Sequence, residues 1–298
     1  MEKFSYEKAA KFNNKDKFFD INYVWVPGLE WTVKKLYYTR IRPEFIVFLS
    51  LVAGLTASIF YSGSNYVMLL LGAFFIELKN FLDTADGYLA RAKGLTSRFG
   101  RFLDSLSDAA VYFALFTGIG INLASGGDHI FTYFISYAAM LSAFLQCSIY
   151  NYYLVSYKTL LQGEGINRTD ERFRKDEKKF CGEGLTGFTL FLLQQCYQLV
   201  YGWQDRIVEF VDKRLYRIRK PGNSKEADDE LFKQWYADKS FLSLVSPLCF
   251  GTQILVLVVF TIFNNLEGFL WFIVIAGNSY AMGLLLIKAL LGNLSGRK

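Results

Sequence analysis

The chain has 298 residues and a formal charge of +6; 52% of its residues are hydrophobic, 18% aromatic and only 20% charged. With 29 Phe and 19 Tyr against 4 Pro, this composition fits apolar spans edged by interfacial rings and excludes disordered, collagen-like and disulfide-scaffold chains. A lone histidine, His129, and cysteines without paired spacing (Cys147, Cys181, Cys196, Cys249) leave no basis for a His-based triad, a zinc knuckle or a disulfide frame.

Residues 1–43 read as a cytoplasmic N-terminal segment. The first 20 carry Lys3, Lys8, Lys11, Lys15 and Lys17 and no apolar core region, so no signal peptide is expected. Residues 23–39 are predicted to form an interfacial helix, with Trp25 and Trp31 as headgroup-level rings and Lys34 and Lys35 facing anionic lipid. Apolar runs follow at about 45–61, 66–82, 109–124, 130–155, 241–263 and 268–291. A span needs about 20 mostly apolar residues. The predicted fold class is therefore an all-α integral membrane protein, a six-transmembrane-helix bundle. Residues 44–155 hold the first four spans; residues 241–298 hold the last two and a short tail.

Charge sidedness sets the expected topology. The links at 62–65, 122–129 and 264–267 carry no Lys or Arg, whereas the N-terminal segment, the 91–101 loop and the 156–240 insertion are rich in them. That alternation puts both termini in the cytoplasm. The run at 185–203 is long enough to span but carries Gln194, Gln195 and Gln198. A seventh span there would strand Arg206, Lys213, Arg214, Arg217, Arg219 and Lys220 on the outer side. Residues 185–217 are therefore expected to lie at the interface or packed under the bundle, as part of a cytoplasmic helical insertion. Within it Ile207, Val208, Phe210, Val211 and Leu215 recur at helical spacing.

The chemistry concentrates in 82–108, LDTADGYLARAKGLTSRFGRFLDSLSD, at the cytoplasmic end of the second and third spans. Acidic groups at membrane depth are expensive and mark function. Asp83 and Asp86 are spaced i,i+3 on one helix, and Asp104 and Asp108 i,i+4 on the next, so each pair shares a face. Two helices joined by a short loop bring those faces together, and facing carboxylates need cations between them. Hard oxygen ligands suit Mg²⁺ or Mn²⁺, and Mg²⁺ pairs a few carboxylates with substrate phosphates. Gly87 and Ala90 clear the helix face for a flat ring or pyrophosphate; Arg91 offers a planar fork to phosphate.

The pattern D-x-x-D-G-x-x-A-R-x8-G-x3-D-x3-D, met by Asp83, Asp86, Gly87, Ala90, Arg91, Gly100, Asp104 and Asp108, resembles the signature of the CDP-alcohol phosphotransferase family. A chance match at a given start is roughly one in 10^10 at average residue frequencies. The resemblance implies a six-helix membrane bundle, often a homodimer, that moves a phosphatidyl or phosphoalcohol group from a CDP-linked donor to a hydroxyl acceptor and releases CMP. It implies metal binding by Asp83, Asp86 and Asp104, metal contact and general-base work by Asp108, and a cytidine diphosphate site at Asp83, Asp86, Gly87, Ala90, Arg91 and Gly100. Pro43 fits the family's first-span motif P-N-x-x-T; Glu44 and Val47 depart from it, which weakens the nucleotide contacts expected of that helix. Ser97 is a candidate phosphate contact, or a local backbone cap.

The 156–240 insertion is longer than the family's usual link. Its Lys158, Arg168 and Arg172 are candidates for binding an acceptor phosphate, against a background of ordinary positive-inside charge. The expected partners are a CDP-lipid donor such as CDP-diacylglycerol, a hydroxyl acceptor and membrane lipid, with no nucleic acid; the bacterial cell membrane is favoured over the endoplasmic reticulum. Two alternatives stand beside this: transfer from a soluble CDP-alcohol such as CDP-choline to a lipid hydroxyl, and a cation-coupled transporter, disfavoured by the absence of repeated halves. Glu77 and Lys79 read as snorkelling or internally paired charges without a catalytic part.

Overall fold

The computed structural model describes residues 4–10, 16–21, 25–125, 129–162, 184–219 and 225–291, and these contain helices and turns but no strand. The helices are α1 (Tyr6–Ala9), α2 (Val26–Tyr37), α3 (Pro43–Tyr61), α4 (Tyr66–Lys93), α5 (Arg98–Ala124), α6 (His129–Gln162), α7 (Gly184–Val200), α8 (Gly202–Arg219), α9 (Lys225–Tyr236), α10 (Lys239–Val245), α11 (Phe250–Ile262), α12 (Leu266–Trp271) and α13 (Asn278–Leu291).

Among the described residues, four helical stretches are long and apolar enough to cross a membrane: Pro43–Tyr61, Arg98–Ala124, His129–Leu161 and Leu266–Leu291. Lys239–Leu248 and Phe250–Ile262, bent by 45° at their junction, make a fifth if counted as one. The expected six is thus met only in part. The span expected at 66–82 is a helix of 28 residues, but Glu77, Lys79, Asp83 and Asp86 interrupt its apolar run. The bend ahead of α11 falls where Pro247 lies in a short 3-10 turn, Ser246–Leu248. The final span is also not a plain α-helix: Phe272–Gly277 is a π turn. Such a turn disturbs the carbonyl ladder, and the Gln146 amide donates to the Ile273 carbonyl (2.9 Å) and the Asn278 Oδ1 (2.9 Å) there.

The run at 185–203 breaks at Tyr201 into α7 and α8, and neither is among the helices fit to cross. α7 lies along the start of α5, with Tyr197 against Phe102 (ring centroids 5.3 Å). α8 packs on α6, burying Val208 and Asp212 while Phe210 and Ile218 stay exposed. In α2, Leu29 and Val33 are buried with Ala85, Tyr88 and Leu89 of α4. Trp25 packs edge-on against Phe81 (6.3 Å), and Trp31 remains exposed with Lys35 over its ring (3.5 Å).

Helices α3, α4 and α5 pack tightly because small residues face one another. A Cβ added at Gly118 of α5 would collide with the Ser58 carbonyl oxygen of α3. Close backbone approach of this kind is how membrane helices gain packing without a solvent-driven term.

A buried polar node fastens the insertion to the bundle. The Asp212 carboxylate, fully buried, accepts from the hydroxyls of Tyr152 (3.1 Å), Tyr153 (2.7 Å) and Tyr236 (2.6 Å) and from the Trp235 indole (2.9 Å). Burial, then the Asp212 charge, pushes the Tyr236 hydroxyl far above the usual phenol range, so it remains a donor. Beside it the buried Lys288 ammonium donates to the Trp235 carbonyl (2.7 Å) and lies 3.6 Å from Asp238. Replacing Asp212 by Ala strands these donors in a closed site. The expected cost is about 3 kcal/mol, read as a lower unfolding temperature in detergent and faster proteolysis of 184–238; wild-type stability would show that the node fastens nothing.

Candidate active site

The site grows from the turn that joins α4 to α5. Gly94 ends α4 with a φ of +66°, a left-handed cap that glycine adopts without a side-chain clash. Ser97 then opens α5 by accepting from the Gly100 amide (3.0 Å). Ser97 thus does the local capping job that was one of its two readings. The turn leads α5 back so that it and α4 both pack on α3, and Lys79 of α4 reaches Asp108 of α5.

Two adjoining cavities open around these residues. The first, about 370 Å³, is lined by Pro43, Glu44, Asp86, Gly87, Ala90, Arg91, Ser97, Gly100, Arg101, Asp104 and Lys158. The second, about 530 Å³, takes in Asp83, Asp108, Asn80, Thr84, Ser105, Asn151 and Tyr201. Gly87, Arg91, Arg101, Asp104 and Lys158 line both, so they form the wall between them. Every residue of the eight-residue pattern therefore borders one cavity or the other, as do Pro43, Ser97 and Lys158. Arg168 and Arg172 lie outside the described residues.

Local contacts set the orientation of several of these groups. The Arg91 guanidinium donates through Nε to the Ala9 carbonyl (2.7 Å) and lies 4.8 Å from the Tyr88 ring centre, so the N-terminal segment fixes it at the cavity wall. The Tyr201 hydroxyl donates to the Ser105 carbonyl (2.8 Å), tying the α7–α8 junction to the α5 face that carries Asp104 and Asp108. Glu44, the departure in the first-span motif, lines the first cavity, and its Oε2 is buried without a hydrogen bond.

Lys79 is the residue that sequence reasoning undervalued. Its side chain is 2% exposed; its ammonium donates to Asp83 (2.9 Å) and forms an ion pair with Asp108. Its own carbonyl accepts from Ser50 of α3 (3.2 Å). The legible signal was its place four residues before Asp83 on one helix. Asp86 and Asp104, by contrast, receive no hydrogen bond from another side chain among the described residues. Among those residues, no three acidic, Cys or His side chains are grouped tightly enough to hold an ion as they stand. The chemistry of the donor set nonetheless fits a hard divalent cation: four carboxylates bordering polar cavities, with only one ammonium between two of them.

Residues 40–163 match the family model described as CDP-alcohol phosphatidyltransferase. A phosphatidylinositol phosphate synthase of Streptomyces avermitilis is 32% identical over 111 residues, covering 32% of this chain and 43% of that protein. An archaetidylinositol phosphate synthase of Pyrococcus horikoshii is 36% identical over 94 residues, covering 30% of this chain and 48% of that protein. An uncharacterized protein of Aquifex aeolicus is 36% identical over 86 residues, covering 25% and 43%. The chain thus spans less than half the length of these relatives.

Gly87 is the point where a side chain would obstruct both cavities. Gly87→Leu should keep the helix, since leucine is the better helix former by roughly 1 kcal/mol. If a cytidine nucleotide sits against this wall, the change should weaken CDP binding, measured by calorimetry, by about tenfold or more. Unchanged CDP affinity would show that no nucleotide sits there.

Proposed function

We propose that this chain, which belongs to the CDP-alcohol phosphatidyltransferase family through residues 40–163, transfers a phosphatidyl group from a CDP-linked lipid to a hydroxyl acceptor and releases CMP. One observation carries this reading: the eight pattern residues border two adjoining cavities that share a wall of Gly87, Arg91 and Asp104. A transferase needs room for a donor and an acceptor on either side of the bond that changes. A CDP-lipid such as CDP-diacylglycerol spans bilayer and cytoplasm, and the bundle would offer it both environments.

Phosphoryl transfer asks a protein mainly for positioning and charge stabilisation. In this reading Pro43, Gly87, Ala90 and Gly100 leave the first cavity open to the nucleotide, and Arg91 holds its phosphates with a planar fork. Ser97 keeps the cavity rim in place by capping α5. Asp83, Asp86, Asp104 and Asp108 are the carboxylates that would hold Mg²⁺ or Mn²⁺; when bound, such an ion neutralises charge growing on the leaving CMP. Asp108, on the second cavity, accepts the proton of the acceptor hydroxyl, and its ion pair with the Lys79 ammonium orients its carboxylate there.

The relatives' names point to an inositol phosphate as acceptor. Lys158, which lines both cavities, is the first candidate of the insertion for its phosphate, and Arg168 and Arg172 are the others that the sequence offers. We place the bundle in a membrane with both termini cytoplasmic, following the charge alternation of the links.

Purified protein supplied with Mg²⁺ and CDP-diacylglycerol should release CMP when inositol phosphate is added, and less with glycerol 3-phosphate, serine or unphosphorylated inositol. CDP-choline should not replace the donor. Asp108→Asn should lower kcat by about 10²- to 10⁴-fold while the protein stays folded. Lys158→Gln should raise the acceptor KM more than it lowers kcat. Full turnover by the Asp108 variant, or no CMP with any acceptor, would overturn the assignment.

A further inference from the structure

Arg91 is a cation that stands among carboxylates without pairing with one. It lines both cavities together with Asp104, and the first with Asp86 as well, yet among the described residues no carboxylate accepts a hydrogen bond from it. A guanidinium free to swing beside such groups would pair with one, because a bidentate Arg–carboxylate contact is among the stronger polar contacts a protein makes. That pairing would cancel its charge before a phosphate arrived. Arg101 and Lys158 border the same two cavities, and each has a partner of its own. Arg91 is instead held by residues that precede the 40–163 stretch. Phe4 is tied to the end of α2: its amide donates to the Tyr38 hydroxyl (3.3 Å) and its ring meets Tyr37 edge-on (centroids 5.6 Å). In the single turn of α1, Tyr6 and Ala9 are spaced i,i+3 and share a face, as Tyr88 and Arg91 do on α4. The two faces meet. The Tyr6 ring stacks on Tyr88 (5.9 Å, 24° between planes), and Ala9 is fully buried. The Ala9 carbonyl, at the end of its turn with no further helix to accept from, takes the Arg91 Nε–H at 2.7 Å.

We propose that α1 is a positioning clamp: Tyr6 and the Ala9 carbonyl hold Arg91 off the carboxylates and present its two terminal nitrogens to a phosphate of the CDP-linked donor. With Nε engaged, the side edge of the guanidinium is taken and the end of the fork remains. Both terminal nitrogens lie over Gly87, where a side chain would touch them. Ala10, the next residue, lines the first cavity, so the clamp sits at that cavity's edge. A guanidinium already oriented loses less freedom when a phosphate binds, and the affinity gained is that of preorganisation. Tyr6 and Ala9 act through Arg91 and are positioning residues.

The inference rests on the phosphotransfer reading, in which Arg91 meets a donor phosphate, and a double-mutant cycle on the purified full chain separates the two. CDP binding is measured by calorimetry in the presence of Mg²⁺. Arg91→Lys keeps the charge but lacks the planar fork, and should weaken CDP binding by about fivefold or more. Tyr6→Ala and Ala9→Leu should each weaken it by about five- to tenfold when Arg91 is present, and by less than about twofold in the Arg91→Lys background. Tyr6→Phe, which keeps the stacked ring, should bind CDP as the wild type does. A loss of the same size in both backgrounds marks α1 as general support and overturns the inference. Wild-type affinity in Tyr6→Ala and Ala9→Leu, or a Tyr6→Phe loss as large as that of Tyr6→Ala, also overturns it; each of these results leaves the phosphotransfer reading standing. If Arg91→Lys itself binds CDP as tightly as the wild type, Arg91 does not meet the phosphate, and the nucleotide assignment of this wall falls together with the clamp.

Discussion

Carboxylates inside an apolar bundle must be neutralised, and the rest of the site follows from how that is done. Desolvation makes an unpaired buried charge far costlier than a paired one. In this chain α4 and α5 each carry two aspartates onto the adjoining cavities, and Lys79 reaches Asp83 and Asp108 from within α4. The other two border a cavity. The same electrostatic requirement thus fixes the internal pairing of the bundle, and Arg91, Arg101 and Lys158 line the cavity that Asp86 and Asp104 border.

The cavity wall joins this requirement to the chemistry. Gly87, Arg91 and Asp104 stand between two spaces, and the elements around them come from distant parts of the chain: the N-terminal segment through the Ala9 carbonyl, α3 through Pro43 and Glu44, and the α7–α8 junction through Tyr201. A centre assembled in this way has its geometry set by helix packing rather than by a loop. The buried Asp212 node extends the arrangement outward, because it holds α8 and α9 against α6, whose far end supplies Lys158.

Much of this was legible in the sequence, for identifiable reasons. The eight-residue pattern is local, and the i,i+3 and i,i+4 spacings of its acids fix which side chains share a face whatever surrounds them. The helices around the motif followed from the apolar runs, and the placement of Arg and Lys argued against a span at 185–203, whereas the break at Tyr201 was not readable there. Less legible were features that depend on neighbours distant in sequence. Nothing in the run at 268–291 announces a π turn; it is accompanied by Gln146, more than a hundred residues earlier. Trp25 reads as an interfacial ring but packs on Phe81, because α2 lies along α4. Lys79 reads as a snorkelling or internally paired cation, and only Asp108, arriving from the next helix, decides for the pair. Spans by composition alone also fall short of six, since the helix that carries the chemistry is too charged to pass as apolar.

The most direct measurement is an anomalous-scattering map of crystals grown with Mn²⁺ and CDP. The reading requires manganese density at the aspartate junction, with the diphosphate beside it in the cavity bordered by Gly87, Ala90 and Arg91. Manganese bound elsewhere, or nucleotide density away from that wall, would contradict it.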